Sequence, residues 1–283
     1  MPDGAPPSAP FFNRQALHLR PDPSRVVVRP FRPAVEPRDL NPVDKTRANH
    51  IVDRVLAMTP DETDALLAET LRNFDDRHRN LPAIFERRAA EMEDAFAAHA
   101  SFSQAQRQLV GAYFLHEYSF EAAALFNPSI VPHPDQSGVA AGCRRFILSL
   151  RAVGEGHISS LTFRSGILAA DGTVTIDPPA RLAATPVVTA RVGDRLELGF
   201  DPASDIAERV IFPVTEMQAN GIEDARFVAF QDEGQTIYYA TFTAYSGSGI
   251  RSELLETRDF VTFHLAPLKG AAAHNKGIAL FPR

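Results

Sequence analysis

One cysteine, Cys143, stands among the 283 residues. That excludes a disulfide framework and any cysteine-rich zinc or iron–sulfur site. No apolar run reaches the roughly 18 residues that a membrane span needs, and the opening MPDGAPPSAP lacks the charged-then-apolar pattern of a secretory signal. Basic residues are not in excess: 29 lysines and arginines against 35 acids leave a net charge of −6. The footprint of a nucleic-acid binder is therefore missing. HExxH and GxSxG are absent, and no Cys/His cluster has metal-ligand spacing. With 45% hydrophobic and 23% charged residues the composition is globular, and a cytoplasmic location is expected.

What is present changes along the chain. Ten of the 22 prolines fall in the first 42 residues, which predicts an extended arm over 1–43 with one short edge strand at Arg25 to Phe31. Glycine shows the opposite bias, with only Gly4 and Gly111 before residue 138. Residues 44–126 read as helices. Thr59-Pro-Asp-Glu62 is a capping box with proline at the first helical position, followed by the stripe Leu66, Leu67, Leu71 and Phe74. Ile84, Phe85, Met92 and Phe96 mark a second helix, and Leu109, Val110, Phe114 and Leu115 a third from near Ser103. Ser119, with Glu121 and three alanines, predicts a short fourth.

From 127 onward the pattern turns to short strands: 145–151, 157–163, 173–176, 209–214, 226–230, 237–243, 253–256 and 261–265, with Asp171-Gly172 as a hairpin turn. Many short strands without intervening helices predict a sandwich, barrel or propeller. The residues after Ser137 suffice for about three blades of roughly 40 to 50 residues, whereas a closed propeller needs at least about four. The closing Ile278-Ala-Leu-Phe-Pro-Arg283 reads as a further apolar strand. Either the fold is not a propeller or a C-terminal part is missing.

Four segments carry polar groups suited to chemistry. In Asn220-Gly-Ile-Glu-Asp-Ala-Arg-Phe-Val228, period-two alternation puts Asp224 and Arg226 on one face and Glu223 on the other. Glu223 and Asp224 can therefore point at one substrate only if the strand bulges. An acid and an arginine on a channel-facing strand suit an anionic or polyhydroxylated ligand, whereas spacing alone favours a surface ion pair beside a turn. His157 and Arg164 lie in a strand with mixed faces, as expected of a wet channel or an exposed edge. Tyr245 precedes Ser-Gly-Ser-Gly-Ile-Arg251, a glycine-rich hairpin tip. Asn275 and Lys276 lie in His-Asn-Lys-Gly277, where they are suited to phosphate or sugar hydroxyls or form a solvated turn.

Taken in order, NGIEDARF (220–227), YYATFTAY (238–245), TRDF (257–260), HNKGIALFP (274–282) and EGHISSLTFRSG (155–166) resemble glycoside hydrolase family 130, the β-mannoside phosphorylases and β-1,2-mannosidases. The resemblance implies an incomplete five-bladed β-propeller over 127–283, mainly β, with about three blades present and the helical segment outside it. It implies cleavage of β-linked mannosides, phosphorolysis with inversion being favoured over hydrolysis. The family's Glu-Asp-Pro-Arg pattern assigns the general acid to Asp224, although Ala225 stands where proline is usual. Arg226, Arg251 and Lys276 are the matches for phosphate ligands, with Arg164 and His157 lining the sugar site. Inorganic phosphate is then a co-substrate, no metal or other cofactor is implied, and self-association is left open. A phosphorylase needs a cationic clamp and no base, whereas an inverting hydrolase needs a second carboxylate roughly 6.5–9.5 Å from the acid. The rival from another class is a non-catalytic sugar-binding or scaffold protein, since an open propeller exposes strand edges.

Overall fold

The computed structural model describes residues 14–34, 46–92 and 102–282. The rest of the proline-rich stretch and the expected helical position Phe96 lie outside the described residues. Four helices occupy the helical segment: α1 (Arg47–Leu56), α2 (Pro60–Phe74), α3 (Leu81–Glu91) and α4 (Gln104–Tyr113). Capping boxes begin three of them, at Thr46/Asn49, Thr59/Glu62 and Ser103/Gln106, each satisfying backbone donors that a helix start leaves unpaired. Helix α1 was not marked by the apolar spacing, although Thr46-x-x-Asn49 is its signal. The apolar sides meet in a core of Val52, Val55, Leu109, Val110 and Phe114. Gly111 is required there, because a β-carbon would come within 1.9 Å of the Phe85 carbonyl oxygen on α3.

Ser119 does not open a helix. Leu115–Ser119 is strand β2, paired antiparallel with β1 (Val26–Pro30), so Leu115 belongs to a strand as well. The reason lies in Glu121, expected as a first-turn acid. Its carboxylate is fully buried, where Arg25 Nη1 and Arg164 Nη2 both donate to Oε1, the latter at 3.0 Å. Glu121 itself lies in the turn that follows β2, with its carboxylate buried against both arginines. Arg25 also donates to the carbonyls of Ala180 and Ala207, so this cluster fastens the N-terminal strand to the β region. Burial holds the Arg25 guanidinium down at about 10, against the pull of Glu121.

The remaining strands are β3 (Ala124–Pro132), β4 (Arg144–Val153), β5 (Ser159–Leu168), β6 (Val174–Ile176), β7 (Val187–Val192), β8 (Arg195–Gly199), β9 (Val210–Ile211), β10 (Gly221–Asp232), β11 (Gln235–Tyr245), β12 (Ile250–Thr257) and β13 (Thr262–Pro267). They form one hydrogen-bonded path, β3-β4-β5-β10-β11-β12-β13-β8-β7, with β6 and β9 on β5. Within it are two antiparallel groups, joined at a single parallel pair, Gly221↔Ser159. The path is open at β3 and β7, so the described residues do not form a closed propeller. Residues 278–282 form no strand. Strands β7 and β8 were not expected, and β7 is exposed along its whole length, which leaves little apolar patterning to read.

The main core lies between the two groups, around Leu161, Phe163, Leu198, Phe227, Tyr238, Phe260 and Phe263. Phe163 touches Phe227, Phe260 and Phe263 with ring centroids 5.9–6.1 Å apart, the edge and offset spacing that aromatic quadrupoles favour. At one end of this core the groups touch through Gly221, whose φ is +141° and whose missing β-carbon would meet the Ser159 backbone nitrogen at 2.8 Å. That close approach brings the ends of β4, β5 and β10 together.

Candidate active site

Two strands are interrupted where they face each other. The β10–β11 register slips between Glu223 and Arg226, and the β3–β4 register slips between Phe126 and Ser129. In each slip one non-glycine residue takes a left-handed backbone: Asp224 at φ +55° and Asn127 at φ +52°. Such conformations cost on the order of 1–3 kcal/mol and are kept where surrounding contacts fix them. Here the Asn127 side-chain amide donates to Asp224 Oδ1, and the Phe227 backbone N–H donates to Ser129 Oγ at 2.8 Å. The bulge that the Glu223-Asp224 pair requires is therefore present.

Arg151, at the end of β4, organises the cluster. Its Nη2 donates to Glu223 Oε1 at 2.8 Å, its Nη1 to Asp224 Oδ1 at 3.2 Å and its Nε to Ser159 Oγ at 2.9 Å. The guanidinium also lies over the Phe126 ring, 5.1 Å from its centroid. Lys276 Nζ donates to Glu223 Oε2 at 2.7 Å. The two carboxylates end up in different states. Both oxygens of Glu223 are engaged and its side chain is 12% exposed, whereas Asp224 is 28% exposed and its Oδ2 has no partner among the described residues.

The other sequence candidates fall in different places. Arg226 follows the bulge and donates to the Pro128 carbonyl at 3.2 Å. Register separates Arg251 from Lys276. Glu223, Thr243 and Ser252 oppose one another across β10, β11 and β12, and opposed residues share a face. Arg251 opposes Ala244 on the other face, where it pairs with the fully buried Glu253. Gln218 Nε2 holds the second Glu253 oxygen at 2.6 Å. Lys276 thus joins the cluster around Asp224 through Glu223, whereas Arg251 lies on the other face of β12. Arg164 is 2% exposed and belongs to the Glu121 cluster. His157 is exposed, in a short turn before β5 with φ +62°, instead of inside the strand. Tyr245 donates to the Gly247 carbonyl at 3.2 Å within the hairpin tip, and Asn275 is exposed beside Lys276.

Sequence reasoning missed Arg151, Asn127 and Phe126. A faint signal existed for Arg151: alternation from Ile147 and Ser149 puts it on the inward side of β4, an unusual place for an arginine. Among the described residues no three His, Cys, Asp or Glu side chains converge to hold a metal ion, and no helix is long and apolar enough to cross a membrane.

No family model matches the chain, and no curated protein matches it. Among solved structures it is similar to a glycosyl hydrolase from Bacteroides ovatus, with 17% identity and a TM-score of 0.30, covering 52% of this chain and 32% of that one. It is also similar to a β-1,2-mannobiose phosphorylase from Listeria innocua, solved with β-1,2-mannobiose. There the identity is 16% and the TM-score 0.25, over 53% of this chain and 44% of the other. The chain thus spans less than half the length of either.

Proposed function

We propose that this chain is a carbohydrate-active enzyme that cleaves β-mannosides by phosphorolysis with inversion, with Asp224 as the general acid. One observation carries the choice of chemistry: of the two adjacent carboxylates, Glu223 has both oxygens bound to cations, while Asp224 presents a free Oδ2. A protonated Asp224 would donate through Oδ2 to the glycosidic oxygen as the C1–O bond breaks. Phosphate would attack the anomeric carbon from the opposite side, giving α-mannose 1-phosphate and the freed sugar. Lys276, held on Glu223, and Arg226, just past the bulge, are the cations that would hold the phosphate against that carbon, supplying charge and orientation.

Hydrolysis would need a second carboxylate, unencumbered and roughly 6.5–9.5 Å from the acid, to activate water. Glu223 does not suit that role, because its charge is spent on Arg151 and Lys276. The mannoside specificity rests on the family resemblance of the motifs in 155–282. In this reading the two strand groups are blades of a five-bladed propeller, with Asp224 at the mouth of its channel.

The test is product analysis of β-linked manno-oligosaccharides incubated with the chain, with and without inorganic phosphate. Mannose 1-phosphate formed only when phosphate is present is the expected result. Mannose released at the same rate without phosphate would overturn phosphorolysis, and glycan binding without turnover would overturn the enzyme reading.

A further inference from the structure

Lys276 sits on a segment that belongs to no strand, yet three polar contacts hold it across the face of β10–β12. The Ser252 hydroxyl donates to the Asn275 carbonyl at 2.7 Å, the Thr241 hydroxyl donates to the Ile278 carbonyl, and Lys276 itself reaches Glu223. Ser252 and Thr241 are 3% and 1% exposed and lie on the same face as Glu223, and each hydroxyl donates to a carbonyl of this segment. Asn275, Lys276 and Gly277 are exposed. No ladder hydrogen bonds hold residues 275–278; two side-chain hydroxyls on two strands take their place.

We propose that residues 275–278 form a strap, and that Ser252 and Thr241 are positioning residues that set Lys276 beside Asp224. The hydroxyls grip carbonyls on either side of Lys276, which fixes where its side chain starts. The ammonium needs only a short swing to leave Glu223 for an anionic ligand. A lysine suits this better than an arginine, being a point charge on a flexible stem without a planar fork to align. The role of Lys276 towards phosphate rests on the phosphorolysis reading, whereas the strap does not.

The experiment uses the full chain with Ser252→Ala, Thr241→Val and the double variant, and with Ser252→Thr and Thr241→Ser as forms that keep each hydroxyl. Two readouts need no turnover: the rate of tryptic cleavage after Lys276, followed by mass spectrometry, and the rate at which acetic anhydride acetylates Lys276. Each lost hydroxyl is expected to speed cleavage roughly five-fold, in line with a net hydrogen bond of about 1 kcal/mol. Acetylation should rise with it, and the hydroxyl-retaining variants should restore both. Unchanged cleavage and acetylation in the variants that fold would overturn the strap. Should Thr241→Val fail to fold, Ser252→Ala alone decides.

The third readout is steady-state kinetics. The KM for phosphate is expected to rise about five-fold with kcat little changed. A loosened strap with an unmoved phosphate KM would overturn the positioning claim. If no form turns over with phosphate while cleavage and acetylation rise, the strap stands and phosphorolysis falls.

Discussion

The molecule contains two clusters of arginine and carboxylate with different fates. Around Glu121, two arginines meet one acid with almost no exposure: Arg25 is 2% exposed, Arg164 2% and Glu121 0%. Around Arg151, one arginine and one lysine meet two acids at the end of the main core, where Asp224 keeps a free oxygen and a strained backbone. Both are built from long-range ion pairs, so counting charges does not tell them apart. Accessibility and an unengaged polar atom do. The first cluster fastens the N-terminal strand to the sheet, and the second can meet a ligand.

The sharpest way to break this comparison is to remove one acid from each cluster. Glu121→Ala leaves two buried guanidinium groups uncompensated and is expected to cost about 3–5 kcal/mol of stability, read by denaturant unfolding. A loss below about 1 kcal/mol would show that the sealed cluster does not hold the fold together. Asp224→Asn should leave the unfolding midpoint close to that of the parent chain. Under the proposed reading it lowers turnover about a hundred-fold or more, the scale of a lost general acid. If this substitution unfolds the chain as Glu121→Ala does, the two clusters are alike and the functional distinction fails.

Smaller effects sharpen the contrast. Lys276→Ala removes a half-exposed cation, with stability expected to change by less than about 1 kcal/mol and the phosphate KM to rise about ten-fold. An unchanged phosphate KM would remove Lys276 from the site. The least effect is expected from acid titration of the helical side. Burial pushes His78 below the ordinary histidine value of 6.5, so it is neutral when folded and its Nε2–H donates to Glu117 Oε1 at 2.8 Å. Glu117 is itself pulled down: burial pushes it up, but hydrogen bonds from Arg77 and His78 outweigh that. Because the folded His78 binds a proton less readily than the unfolded one, its stabilisation is full above pH 6.5 and is lost as the pH falls through the depressed value. Stability of His78→Phe should fall less over that range than that of the parent, as a pH series of unfolding curves would show.

How far these features were legible follows from the range of the interactions behind them. Capping boxes such as Thr59/Glu62 are local, and the helix beginning there stands where the sequence puts it. The Thr257-Arg-Asp-Phe260 turn is local too: Thr257 Oγ1 accepts from the Phe260 N–H and Asp259 Oδ1 from the Val261 N–H, between β12 and β13. Ser119 shows the opposite case, because a partner almost a hundred residues away decides the conformation of the chain around Glu121. At the candidate site, the need for a bulge at Glu223-Asp224 could be read from alternation. Its existence could not, since it depends on Asn127 and Arg151 from other strands. Which arginines share a face was equally out of reach, because it depends on the pairing register between strands. Arg151 opposes Leu161 and Arg164 opposes Leu148, which sets them on opposite faces of one ladder.

The most direct test of the distinction is a 31P NMR time course of the parent chain, Asp224→Asn and Glu121→Gln with a β-linked manno-oligosaccharide and phosphate. The α-mannose 1-phosphate signal should grow with the parent chain. It should grow about a hundred-fold more slowly, or slower still, with a folded Asp224→Asn and should be present with whatever fraction of Glu121→Gln remains folded. Equal signal growth from Asp224→Asn and the parent would contradict the assignment of catalysis to the open cluster.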